Sequence, residues 1–112
     1  MMVVLDASVA IKWYIKEKNL FEAEKLLNGY YELHAPELIL PEFGSIVWKK
    51  VRRNELTSEE GSSIIKSFSR QNVTYHSHKP LVTASYIGAD LSAQTVYDWS
   101  YLALAVSLSV PS

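Results

Sequence analysis

The sequence contains no cysteine, so it can build neither a disulfide framework nor a thiolate metal site. Glycine and proline are scarce, four of each in 112 residues, and no linker, internal repeat or low-complexity tract interrupts the chain. Charge of one sign is also missing: eleven Lys and Arg against twelve Asp and Glu leave a formal net charge of -1. Without a global basic field, any contact with nucleic acid must come from a local patch. No apolar run reaches the roughly 18 residues that suggest a membrane span. The longest, around Tyr101 to Val110, reads as a buried helix. The opening Met1-Met2-Val3-Val4-Leu5 is cut short by Asp6 and lacks the basic start and longer apolar stretch of a secretory signal. These absences point to a soluble protein of a reducing cytoplasm, with no membrane partner.

What is present suits one domain over residues 1–112. The hydrophobic content is 48%, and the length allows one real core but not two. Met2 to Leu5 is an apolar, β-branched run ending at Asp6, as in a buried parallel strand. Ala7 to Glu17 follows as a helix with Val9, Ile11, Trp13, Tyr14 and Ile15 on its apolar side. A second helix is expected over Leu20 to Leu27, stopped by Asn28-Gly29. Tyr30 to His34 is a weaker strand ended by Pro36. A long helix then opens at Pro36 or Pro41, since proline is tolerated in a first turn, and runs to about Arg53. Thr57 and Glu60 have the spacing of a capping box for the next helix, whose Ile64, Ile65 and Phe68 share one face. Val73 to Tyr75 is a third strand. Helices follow from Pro80 to Ala89 and from near Thr95 to about Ser107. Strands alternating with helices imply an α/β fold with a parallel sheet, in which ligands collect beyond the carboxyl ends of the strands.

Three acidic residues each follow an apolar segment at an element boundary: Asp6 in VVLDAS, Glu42 in LILPEFGSIVW and Asp98 in TVYDWSYLALA. Carboxylates with room for water are what hard divalent cations prefer. One or two such cations ease phosphodiester hydrolysis by activating water and neutralising charge. Each acid also has a structural explanation. Asp6 can cap the following helix, Glu42 lies where a negative charge favours the helix dipole, and Asp98 completes a Thr95-x-x-Asp98 capping box. Spacing alone does not show that the three converge.

Lys49, Lys50, Arg52 and Arg53 form the only dense basic run. A solvated helix end that favours the dipole is one reading, and a patch for RNA phosphates, joined by Lys12 and Lys16, is the other. His76-x-His78 invites a zinc reading, but alternate residues of an extended segment point to opposite faces and no soft third ligand lies nearby. His34 has less still to recommend it. Trp13, Trp48, Trp99 and the seven tyrosines suit a core or dimer interface better than base stacking. Tyr97, beside Asp98, is the tyrosine to watch.

Three stretches together resemble the PIN-domain family, specifically VapC-type toxins, over essentially the whole chain. VVLDASVAIKWYIKE resembles the first motif, with Asp6 and Ser8; APELILPEFGSIVWKKVRRNELTSEEG resembles the second, with Glu42; LSAQTVYDWSYLALAVSL resembles the third, with Asp98. The resemblance implies an α/β/α sandwich on a parallel sheet and Mg²⁺- or Mn²⁺-dependent endonucleolytic cleavage of RNA. Asp6, Glu42 and Asp98 would bind the metal, and Ser8 would orient the site. It also implies a toxin that dimerises and is silenced by a VapB-type antitoxin.

One feature departs from that pattern. Family members continue into a strand carrying a fourth acid, beside the first strand, and no residue here matches it. A weaker metal site and an open apolar edge at Met2 to Asp6 are therefore expected. A catalytically inactive PIN domain that serves as a protein-binding module is the rival reading. A flavodoxin-like nucleotide binder lacks the glycine-rich loop it would need after the first strand.

Overall fold

The computed structural model describes residues 1–15, 25–27 and 29–108. The elements are β1 (Met2–Val4), α1 (Ala7–Ala10, continued by a 3-10 turn Ile11–Trp13), a second 3-10 turn Lys25–Leu27, β2 (Glu32–Pro36), α2 (Ile39–Arg52), α3 (Ser58–Ser69), β3 (Val73–His76), α4 (Val82–Ser92) and α5 (Val96–Leu108). The strands pair in parallel in the order β1-β2-β3, with Val4 opposite His34 and His34 opposite Thr74. Among the described residues β1 lies at the edge of this sheet.

Period-two alternation sends the two faces of the sheet into separate layers. Leu5, Leu33, Ala35 and Val73 belong to one core with Ala10 and Ile11 of the first helical segment, Ile39, Phe43 and Val47 of α2, and Phe68 of α3. The stacked rings of Phe43 and Phe68, 4.0 Å apart, sit within it. Val4 belongs instead to a smaller cluster with Leu81, Leu104 and Ala105. Helices therefore cover both faces, which is the α/β/α arrangement expected.

Several boundaries differ from expectation. The first helix leaves α geometry after Ala10 and turns at Tyr14; its expected end at Glu17, Lys16, and the second helix up to residue 24 lie outside the described residues. Strand β2 sits two residues later than its aromatic start suggested, because pairing with both neighbours fixes residues 32–36. Neither proline opens α2. Pro36 closes β2, and Pro41 occupies the first turn, where a missing N–H breaks no intrahelical bond. Helix α4 starts at Val82 and runs on to Ser92, stopped by Ala93 in the left-handed region at φ 64°. The Thr57–Glu60 capping box is complete, with both reciprocal hydrogen bonds formed.

His34 is more important to the sheet than its sequence context suggested. It is 6% exposed, and its Nε2 lies 2.7 Å from Glu32 Oε1 while its Nδ1 lies 2.8 Å from His76 Nε2. His76 thus pairs with His34 across the β2–β3 boundary. His78 faces elsewhere and accepts the Leu38 N–H at 2.9 Å. Both rings are satisfied by hydrogen bonds.

Helices α4 and α5 approach closely because α4 presents small residues, Ser85 and Gly88, at the contact. A Cβ on Gly88 would collide with the Trp99 ring. That ring has little freedom to yield, because its Nε1 donates to Ser92 Oγ at 2.7 Å and Ser92 Oγ donates to the Gly88 carbonyl at 2.8 Å. Replacing Gly88 by Ala should therefore lower stability, the overpacking cost of about 1–3 kcal/mol exceeding the gain of about 1 kcal/mol in helix propensity. Urea unfolding measures this directly, and an unchanged or raised midpoint would contradict the close contact.

Candidate active site

Asp6 stands one residue beyond Leu5, at the carboxyl end of β1, where the chain turns into α1. Its extended backbone and its side chain make it the N-cap: Oδ1 accepts the Val9 N–H at 2.9 Å and the Ser8 hydroxyl at 2.7 Å. The capping explanation is therefore correct, yet it uses only one oxygen. Both bonds fall on Oδ1, and among the described residues Oδ2 is left for a further partner.

Glu42 lies in the first turn of α2 and is half-buried. Its Oε1 accepts a short hydrogen bond from the Tyr101 hydroxyl. Asp98 lies in the first turn of α5 and is exposed. Here the capping-box reading is only half right. The Asp98 N–H donates to Thr95 Oγ1 at 3.0 Å, but among the described residues the Asp98 carboxylate returns no bond to the Thr95 backbone. The contrast with Thr57 and Glu60, where both halves form, leaves the Asp98 carboxylate available.

These pieces meet. Asp6, Ser8, Glu42 and Asp98 line one cleft of about 460 Å³, together with Val4, Ala7, Ile46, Tyr101 and Leu102. The cleft lies beyond the carboxyl end of β1, where ligands of parallel sheets collect. Tyr101 stands among the acids. Burial first, then the hydrogen bond and charge of Glu42, then the charges of Asp6 and Asp98 push its hydroxyl far above the usual tyrosine range. It therefore remains a neutral donor. Sequence reasoning singled out Tyr97 instead, which is 64% exposed. The available signal was spacing: Tyr101 is one helical turn beyond Asp98 and so shares its face.

The donor set suits a hard cation that keeps much of its water, since Mg²⁺ is commonly held by one or two carboxylates rather than an all-protein cage. It does not form a closed cage: among the described residues no three His, Asp or Glu side chains are gathered closely enough to hold an ion by themselves.

The basic residues are not among those that line this cleft. Lys49, Arg52 and Arg53 are exposed at the end of α2. Lys50 is half-buried with its Nζ 3.9 Å from Glu55 Oε1, and the Arg52 guanidinium lies 5.8 Å from the centre of the Trp48 ring. Lys12 lies in the 3-10 turn, one turn beyond Ser8. Among the described residues no helix is long and apolar enough to cross a membrane.

A parallel sheet with helices on both faces and a cleft lined by three carboxylates at a strand end defines a class of α/β protein with an acidic cleft. Comparison with known proteins makes the class specific. The chain is 30% identical over 107 residues to Ribonuclease VapC3 of Pyrobaculum aerophilum, a match spanning 94% of this chain and 82% of that protein. In fold it is similar to the crystal structure of VapC20 of Mycobacterium tuberculosis, a sarcin-ricin loop cleaving toxin, with a TM-score of 0.71 at 12% identity over 98% of this chain and 85% of that one. No protein-family profile matches it. The chain belongs to the VapC-type PIN-domain toxins.

Replacing Tyr101 by Phe removes the donor to Glu42 from a half-buried position beside two further carboxylates. The expected loss is about 1.5–3 kcal/mol, the order of a hydrogen bond to a charged group. Exposed Tyr97→Phe should stay within about 0.5 kcal/mol of the unsubstituted protein. Equal effects in urea unfolding would show that the Tyr101–Glu42 bond contributes no stability.

Proposed function

We propose that this chain is a single PIN domain acting as a Mg²⁺- or Mn²⁺-dependent endoribonuclease, the toxin of a type II toxin–antitoxin pair, working in the cytoplasm. The observation that carries the reading is the meeting of Asp6, Ser8, Glu42 and Asp98 in one cleft, in a member of a family whose relatives include a ribonuclease and a toxin that cleaves the sarcin-ricin loop.

Asp6, Glu42 and Asp98 would hold the divalent cation. Its contribution, when bound, is positive charge against the phosphate oxygens and a more acidic water. The protein's own part is positioning. Ser8 and the Val9 N–H fix Asp6 by one oxygen and leave the other for the ion. Tyr101 fixes Glu42 in the same way. Asp98 is carried to the cleft on a helix whose first turn is tied by Thr95. The basic end of α2, with Lys12, offers positive charge to RNA phosphates, which position a strand without reading its sequence.

The proposed partners are a second copy of the chain and a VapB-type antitoxin that silences the cleft. The support is an apolar surface on α4 and α5, where Val82, Tyr86, Ile87, Leu91 and Val106 are exposed, Leu91 at 82%. Exposed apolar side chains that adjoin one another mark protein contacts.

A second reading, a PIN domain that binds protein but cuts nothing, is favoured by the lack of a preassembled three-ligand group among the described residues. Asp6→Asn separates the two. Asparagine is as good an N-cap as aspartate, so α1 and the fold should persist while the charge is lost. Under the first reading, RNA cleavage falls on the order of a hundredfold or more, and Mn²⁺ binding by calorimetry weakens with it. A folded unsubstituted protein that neither binds Mn²⁺ nor cleaves RNA would overturn the first reading.

A further inference from the structure

The basic run at the end of α2 is continuous in sequence but divided in space. An α-helix turns once in 3.6 residues, so residues four, seven and eleven beyond Glu42 return to nearly its own bearing. These are Ile46, Lys49 and Arg53. Ile46 lines the cleft beside Glu42, and Lys49 and Arg53 are exposed. The stripe begins at a cleft carboxylate and leads to Lys49, about 10 Å along the helix axis, and Arg53, about 16 Å along it.

The other two cations are differently placed. Lys50 is turned toward the core side, half-buried and paired with Glu55. Arg52 lies on the opposite flank with its guanidinium at the Trp48 ring, next to the groove between α2 and α3. A phosphate strand approaching three carboxylates in a chain of net charge -1 is repelled unless cations stand close to its path. The helix register puts Lys49 and Arg53 on that path.

We infer that Lys49 and Arg53 form a phosphate track that leads a single RNA strand along α2 into the cleft, whereas Lys50 and Arg52 serve the helix itself. The inference rests on the endoribonuclease reading for the identity of the strand. It also fixes a direction: the bound strand runs along α2, past Ile46, rather than across the groove beside Trp48.

Counterion release tests the division without recourse to catalysis. In the Asp6→Asn background, binding of a fluorescent single-stranded RNA oligonucleotide is followed by anisotropy over a range of potassium chloride, without divalent cation. Each phosphate contact on a single strand contributes about 0.7 to the slope of log K against log salt. Lys49→Ala and Arg53→Ala should each make the slope shallower by about 0.7, and the double substitution by about 1.4. Lys50→Ala and Arg52→Ala should leave it unchanged. Equal effects at all four positions, or unchanged slopes at Lys49 and Arg53, would overturn the track. Thermal unfolding of each variant distinguishes a lost contact from lost helix stability, since a cation that only favours the dipole changes the melting temperature and not the slope. RNA cleavage by the unsubstituted protein is scored separately. Cleavage with unchanged slopes sinks the track alone, and shallower slopes without cleavage sink the enzymatic reading while the track stands.

Discussion

Like charges repel, and this fold brings carboxylates from the turn after β1 and from α2 and α5 to the rim of one cleft. The arrangement persists because each acid is restrained by a neutral donor or a backbone group. Asp6 is held by Ser8 and the Val9 N–H, Glu42 by Tyr101, and the turn bearing Asp98 by Thr95. Tyr101 is the clearest sign of the crowding. Its hydroxyl keeps its proton because an added negative charge would be half-buried and would face all three acids. The interior packing follows from the same demand. Phe43 and Phe68 stack α2 against α3, and Gly88 lets α4 close on Trp99 beside Asp98.

Much of this could be read from the sequence, and the failures have physical causes. Apolar runs ending in an acid placed Asp6, and local spacing gave the Thr57–Glu60 box because such motifs depend on a few neighbouring residues. The parallel sheet with helices on both faces followed from alternating patterns, and the candidate residues that share the cleft were named from the resemblance. The start of β2 was missed because Tyr30 and Tyr31 look like strand residues, whereas the register is set by pairing with β1 and β3. Thr95 and Asp98 have box spacing, but whether the carboxylate turns back to the backbone is decided by the cleft. Tyr101 and the His34–His76 pair depend on which faces of distant elements meet, and no local window contains that.

The two sheet faces divide the labour. The larger core, under α1, α2 and α3, fixes the elements that carry Asp6 and Glu42. The smaller one, centred on Val4, Leu81, Leu104 and Ala105, anchors the helix that brings Asp98. Val4 and Leu5 point to opposite layers, so the short strand before Asp6 is gripped from both sides. An edge strand of three residues is thereby held in place without a second strand neighbour among the described residues.

The distance along the chain between the acids also sets a timing. Asp6 is made well before Asp98, and α5 can meet β1 only after the elements between them have been made. A ribosome adds about 5–20 residues each second, so for several seconds the nascent chain holds its aspartate and glutamate without their third companion. A cleft assembled from distant parts of a polypeptide cannot exist until the last of them has been made.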